Sequence, residues 1–187
     1  MGCLRLTIII VTYNSAPTIR ACLAPLLGVP GAETIVVDNA SPDGTAALVA
    51  REFPAVRLMA LQENLGFARA CNLAARASSA PFLLLLNPDT VASPEAVHTL
   101  LAFLGQHPRA GIAGARLVDP AGRPLQSMGD KPSLLGLALD KPLALLARSA
   151  GAAGVRRRLA GALSAKYRLP QRPQRVAWVG GAALGCR

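Results

Sequence analysis

Three short polar clusters each follow directly on an apolar run: Thr12-Tyr13-Asn14, Asp38-Asn39 and Asn87-Pro88-Asp89. A carboxylate delivered by a strand end, as Asp38 is by the run ETIVV, can accept a hydrogen bond from the imide N–H of uracil or thymine. The same residue can instead hold an Asx turn or cap the next helix, and at this level both roles stay open. Thr12 and Tyr13 could flank a base and a ribose through backbone and ring contacts. Asp89 offers the hard oxygen that Mg²⁺ or Mn²⁺ prefers, and magnesium often takes only one or two protein carboxylates, with phosphates and water completing its shell. A plain strand-ending turn is the alternative, although the run FLLLL delivers this acid from a buried strand. Asn64, Gly66, Arg69 and Asn72 surround a helix start, where Arg69 could meet phosphate or simply face solvent. His98 and His107 have no partner in the pattern and suggest neither a metal site nor acid–base work. Gly180-Gly181 suits either a bulge or the close approach of a ligand.

The elements that would position these residues alternate between two periods. LTIIIV over 6–11 is nearly continuous β-branched sequence, the pattern of a strand covered on both faces. Further strands are predicted over 33–37, 56–60 and 82–86. Helical patterns run from Ser15 to about Leu27, from Thr45 to Phe53, and from the Asn64–Gly66 loop to about Ala77. Ser93-Pro94-Glu95 has the chemistry of a helix start, with a cap, a proline in the first turn and an acid at the positive dipole end; that helix should reach about Gln106. Residues 112–118, the turn 119–122 and residues 125–127 read as a hairpin, and 176–184 (VAWVGGAAL) as a return of strand. Repeated strand–helix–strand units imply a mostly parallel sheet with helices on both faces. Ligands of such sheets bind beyond the carboxyl ends of the strands, where all three polar clusters fall.

Composition narrows the classes. The chain has 187 residues, 52% of them apolar and 4% aromatic, so aliphatic residues must fill its core and disorder is excluded as a description of the whole. Its net charge of +10 is uneven: all ten acids lie at or before Asp140, where they cancel the basic residues, and the whole excess falls in 141–187. Such a segment fits a nucleic acid, an anionic membrane or a phosphorylated substrate. Tyr167 and Trp178 stand alone there, without the interleaved aromatics of a single-strand binder. The four cysteines form no metal-ligand or disulfide pattern, and Cys22 and Cys71 read as buried thiols, in keeping with a reduced cytoplasmic setting. The N-terminus does not read as a signal peptide, and no run is long enough for a membrane span.

Taken in order, TYNSAPTI, VVDNASPDGT, ENLGFARACN and LLLLNPDT, with VAWVGGAAL later, closely resemble the family 2 glycosyltransferases, especially their rhamnosyltransferase-like branch. The resemblance covers about 6–118 and resumes at 176–184. It implies an α/β GT-A fold and inverting transfer of a sugar from a nucleotide-diphosphate donor to a cell-surface glycan or lipid-linked acceptor. Carried over by position, Thr12, Tyr13 and Asp38 match nucleoside-binding residues, and Asn64 and Arg69 join them on the nucleotide side. Asp89 matches the last acid of the metal-binding D-x-D, whose first acid is here Asn87. A divalent cation, Mg²⁺ or Mn²⁺, is the implied cofactor. Trp178, Gly180 and Gly181 match the W-x-x-G-A stretch on the acceptor side. The family's base lies downstream of that stretch, so no catalytic residue is expected within the chain, which should bind donor yet be incomplete for catalysis. The expected organisation is a nucleotide-sugar-binding core over 1–127, a basic, mobile or loosely helical insertion over 128–175, and the start of an acceptor-side segment over 176–187. The expected location is cytoplasmic, with peripheral contact at the inner face of the plasma membrane. A basic nucleic-acid- or membrane-binding module is the alternative function.

Overall fold

The computed structural model describes residues 6–125, 127–129 and 172–187. Strand β1 (Leu6–Thr12) is buried along its whole length, as its unbroken apolar sequence predicts. It pairs in parallel with β2 (Ala32–Asp38) on one side and β4 (Phe82–Leu86) on the other, while β3 (Arg57–Ala60) pairs in parallel with β2. Among the described residues the central sheet has six strands in the order β3-β2-β1-β4-β10-β5, with β5 at Ile112–Gly114 and β10 at Ala183–Cys186. β10 is antiparallel to both neighbours, so the sheet is parallel on one side and mixed on the other.

The pleat sorts the core. Ile9 and Val11 share a face with Ile35 and Val37, and that face packs on Ala70, Cys71 and Ala74 of α3 (Phe67–Arg76). Ile8, Ile10 and Val36 point the other way and have no exposed surface either, so the sheet is covered on both sides. Helix α2 (Thr45–Glu52) follows β2 and buries Leu48 and Val49. Helix α4 (Pro94–Gln106) starts as its sequence predicts, with Ser93 Oγ accepting from Ala96 N at 3.2 Å. It sits close to β10: a Cβ on Gly185 would come within 2.9 Å of Leu104 Cδ1, so a larger residue there would push the Leu104 side chain aside.

Three expectations are corrected. The hairpin arm predicted over 112–118 is split: Ile112–Gly114 joins the central sheet beside β10, and only Leu117–Val118 enters the hairpin. The helix predicted from Ser15 to Leu27 is instead α1 (Ile19–Leu23) followed by a 3₁₀ turn, Ala24–Gly28. Pro25 has no N–H for the carbonyl four residues back and its ring crowds that carbonyl, so the α-ladder stops. The strand predicted over 176–184 is two strands, β9 (Trp178–Val179) and β10, in different sheets and separated at Gly180–Ala182. By contacts the chain forms two compact units, Met1–Ala115 with Gly180–Arg187, and Arg116–Val179. In the second, β6 (Leu117–Val118) and β7 (Pro124–Leu125) form a short hairpin, and β8 (Met128–Gly129) pairs with β9. The basic insertion predicted over 128–175 lies, apart from its two ends, outside the described residues.

Candidate active site

The loops that follow β1, β2 and β4 and the loop that precedes α3 line one cleft of about 580 Å³ at the carboxyl edge of the parallel strands. That volume lies in the ordinary range for small-molecule sites.

Two of these loops are tied together through buried oxygens. Asp38 Oδ1 accepts from Thr12 Oγ1 at 2.8 Å and from Ser41 Oγ at 2.6 Å, and Asp38 Oδ2 accepts from Ser41 N at 2.9 Å. Ser41 Oγ in turn accepts from Asn14 N at 3.0 Å. Further along, Asp43 accepts from Thr45 N and Oγ1 and from Ala16 N, and Thr45 Oγ1 accepts from Ser15 N. The Thr45 hydroxyl first, then the Ala16 amide, hold the Asp43 carboxyl below its usual value. Asn14 and Ala40 both take positive φ, 54° and 59°, one in each of the two loops. Non-glycine residues rarely adopt this region, so the side-chain ties hold both loops in shapes the backbone alone would not choose.

The next wall is the start of α3. Gly66, with φ 77° and ψ 164°, occupies a region essentially reserved for glycine. Its amide donates to Asn64 Oδ1 at 2.9 Å, and Leu65 N donates to Asn39 Oδ1 at 3.3 Å. No side chain caps the helix, so its first-turn N–H groups stay available. Tyr13 and Phe67 line the cleft with about half of each residue exposed, 52% and 49%.

The third wall carries the acid. Asn87 N donates to Ala182 O at 3.0 Å, and Asn87 O accepts from Thr90 N at 3.1 Å and from Cys22 Sγ at 3.5 Å. Burial, then the negative charge of Asp89, pushes the Cys22 thiol up to about 12, so it packs as a protonated side chain and is no nucleophile. The Asp89 side chain is exposed on the cleft, with Thr90 Oγ1 at 3.4 Å as its described partner. Its oxygens are therefore not consumed by the fold. Among the described residues it is the one carboxylate lining the cleft, and no group of three or more His, Cys, Asp or Glu is arranged to hold a metal. A lone acid suits a cation that arrives with phosphate oxygens, not one caged by protein alone.

Of the residues singled out in the sequence, Thr12, Tyr13, Asn64 and Asp89 line this cleft. Asp38 does not: it is 2% exposed and its carboxylate holds the turn. Asn39, its neighbour, lines the cleft instead. The signal that would have found it is parity, since Ile35 and Val37 face α3 and residue 39 continues that face. Arg69 is exposed on α3 and is not among the lining residues; nor are Gly180 and Gly181, which precede β10. Trp178 belongs to the second unit, where its indole lies against Gly129. Phe67, Ser15 and Thr18 line the cleft without having been singled out, and Asn14 of the first polar cluster lines it too.

The model of Glycosyl transferase family 2 matches residues 7–163. Over 143 residues the chain is 31% identical to the N-acetylglucosaminyl-diphospho-decaprenol L-rhamnosyltransferase of Mycobacterium tuberculosis, covering 70% of this chain and 47% of that protein. The chain thus spans about half the length of this relative. Among solved structures it is similar to S. aureus TarS 1–349 in complex with UDP, with a TM-score of 0.57 and 24% identity over 68% of this chain and 40% of that one. It is also similar to a mannosyltransferase from Pyrobaculum calidifontis in complex with GDP-Man and Mn²⁺, with a TM-score of 0.53 and 27% identity over 60% and 36%. The fold they share with this chain is GT-A.

Proposed function

Since the chain belongs to glycosyl transferase family 2, we propose that its cleft holds a nucleoside-diphosphate sugar and serves inverting transfer of that sugar to a glycan or lipid-linked acceptor. The observation that carries this reading is the convergence of Thr12, Tyr13, Asn64 and Asp89, from three separate sequence blocks, on one cleft at the carboxyl ends of β1, β2 and β4. Their chemistry is graded along it: an exposed aromatic ring at Tyr13, amides at Asn39 and Asn64, and a carboxylate with free oxygens at Asp89. The base and ribose lie against Tyr13, Thr12 and the amides, and the diphosphate lies toward Asp89. Asp38 acts from behind the wall by fixing Thr12 and Ser41.

A divalent cation fits the acid end only as a partner of the donor's phosphates; Asp89 would hold it, with Asn87 beside it. When bound it neutralises charge developing on the departing diphosphate. With Asp89 engaged in this way, no other acid lines the described cleft to take the proton of an acceptor hydroxyl. The acceptor side is assigned to Trp178, Gly180 and Gly181 by position in the family pattern, and Arg69 to the outer phosphate approach. Peripheral contact with anionic membrane through the basic residues of 141–187 belongs to the same proposal. The family match favours this reading over a basic nucleic-acid-binding module.

Calorimetric titration of the chain with UDP and GDP, in Mn²⁺ and in EDTA, tests the assignment. Binding should be tighter in Mn²⁺, and Asp89→Ala should remove that increment while sparing the metal-free affinity. Equal binding of wild type in both buffers would return Asp89 to the role of a turn residue.

A further inference from the structure

We propose that Asp43, which lies outside the cleft, is the positioning residue that sets the loop after β1 in its ligand-binding shape. The inference rests on the reading that a nucleoside diphosphate occupies the cleft. Three successive backbone amides of that loop are spent on side chains of residues 41–45. Asn14 N donates to Ser41 Oγ, Ser15 N to Thr45 Oγ1 and Ala16 N to Asp43 Oδ2, each at 3.0 Å. Asp43 stands behind two of the three. Its Oδ2 takes the Ala16 amide directly, and its Oδ1 accepts from Thr45 Oγ1 at 2.6 Å and from Thr45 N at 3.0 Å. With its proton committed to Asp43, the Thr45 hydroxyl presents a lone pair to Ser15 N. The Thr45 hydroxyl first, then the Ala16 amide, hold the Asp43 carboxyl below its usual value, so at neutral pH both of its oxygens are acceptors.

The segment held in this way carries one wall of the site. Tyr13, Asn14, Ser15 and Thr18 line the cleft, while Ala16, Asp43 and Thr45 do not. Ser15 is 6% exposed and Thr45 has no exposed surface, so the tie between them is shut off from water. Ser15 O accepts from Thr18 N at 3.0 Å and from Ile19 N at 2.9 Å, so its placement also sets where α1 begins. Asn14, at φ 54°, sits inside this set of bonds, which offset the cost of its backbone shape. An amide cannot replace the carboxylate. Asn at position 43 has one oxygen: with it on Thr45 the NH₂ meets the Ala16 N–H, and with it on Ala16 the NH₂ meets the Thr45 N–H. Either way a donor faces a donor, and one end of the tie opens.

The test takes two readings on wild type, Asp43→Asn and Thr45→Val: residue-resolved amide hydrogen exchange by NMR, and calorimetric titration with UDP and GDP in Mn²⁺. In Asp43→Asn the Ser15 and Ala16 amides should exchange faster, and those of Ile8–Ile10 in β1 should not change. The nucleotide that wild type binds should bind that variant about tenfold more weakly, the scale of one hydrogen bond to a charged group. Thr45→Val keeps the shape of the side chain and removes the hydroxyl. There the Ser15 amide should exchange faster, Ala16 should stay protected, and nucleotide binding should again weaken. Wild-type affinity in Asp43→Asn, or unchanged exchange at Ser15 and Ala16, would overturn the proposal. So would a loss of affinity that comes with faster exchange throughout β1, since Asp43 would then support the fold at large and not the loop. Failure of wild type to bind either nucleotide is a different result, which overturns the cleft reading and this inference with it.

Discussion

Asp38 and Asn39 are sequence neighbours with different duties, and the pleat of β2 separates them. Asp38 turns toward Thr12 and Ser41, from which it accepts three hydrogen bonds, while Asn39 lines the cleft. An acid at a strand end is equally compatible with a ligand contact and with a turn, so residue type alone could not choose between them. The hydrogen bonds described in the structure are those of the turn. Hydrogen bonds to a charged group are worth more than neutral ones, and Asp38→Ala would leave the buried Thr12 hydroxyl only the long contact to Val37 O at 3.5 Å. That substitution should lower unfolding stability by about 2–4 kcal/mol in urea titrations. A variant as stable as wild type would show that the network does not hold the two loops. Asp89 is the converse case: the sequence placed it at the mouth of a buried strand, and the structure leaves its oxygens on the cleft.

At the scale of elements, what was legible in the sequence was whatever depends on neighbours along the chain. The unbroken run of β1, the runs of β2 and β4, and the Ser93-Pro94-Glu95 start of α4 all encode themselves locally, and they stand where their patterns put them. The misplaced elements depend on distant partners or on one residue overriding a pattern. Pro25 cuts a helix whose apolar spacing runs on past it. The split at Gly180–Ala182 follows from β10 inserting between β4 and β5, a long-range pairing that no local periodicity announces. Gly66 shows how an element start serves the cleft, since its φ of 77° with ψ of 164° turns the chain into α3 while its N–H orders Asn64. Gly66→Ala should therefore cost about 1–3 kcal/mol of stability. It should also weaken nucleotide binding, because the strain falls on a lining residue. A thermal melt superimposable on wild type would mean the loop relaxes without cost.

For the molecule as a whole, the sheet acts as a frame that brings four loops to one edge. Its charge is uneven along the sequence: the acids at or before Asp140 cancel the basic residues there, and 141–187 carries the entire excess. Among the described residues no helix is long and apolar enough to cross a membrane. The central claim is that the cleft at the carboxyl ends of β1, β2 and β4 is where a nucleoside diphosphate binds. Hydrogen–deuterium exchange of the chain, with and without saturating UDP or GDP in Mn²⁺, reads this directly at peptide resolution. The account predicts added protection in 12–15, 39–41, 64–67 and 87–90, with α4 and β5 unchanged. Protection confined to other segments, or none with either nucleotide, would contradict it.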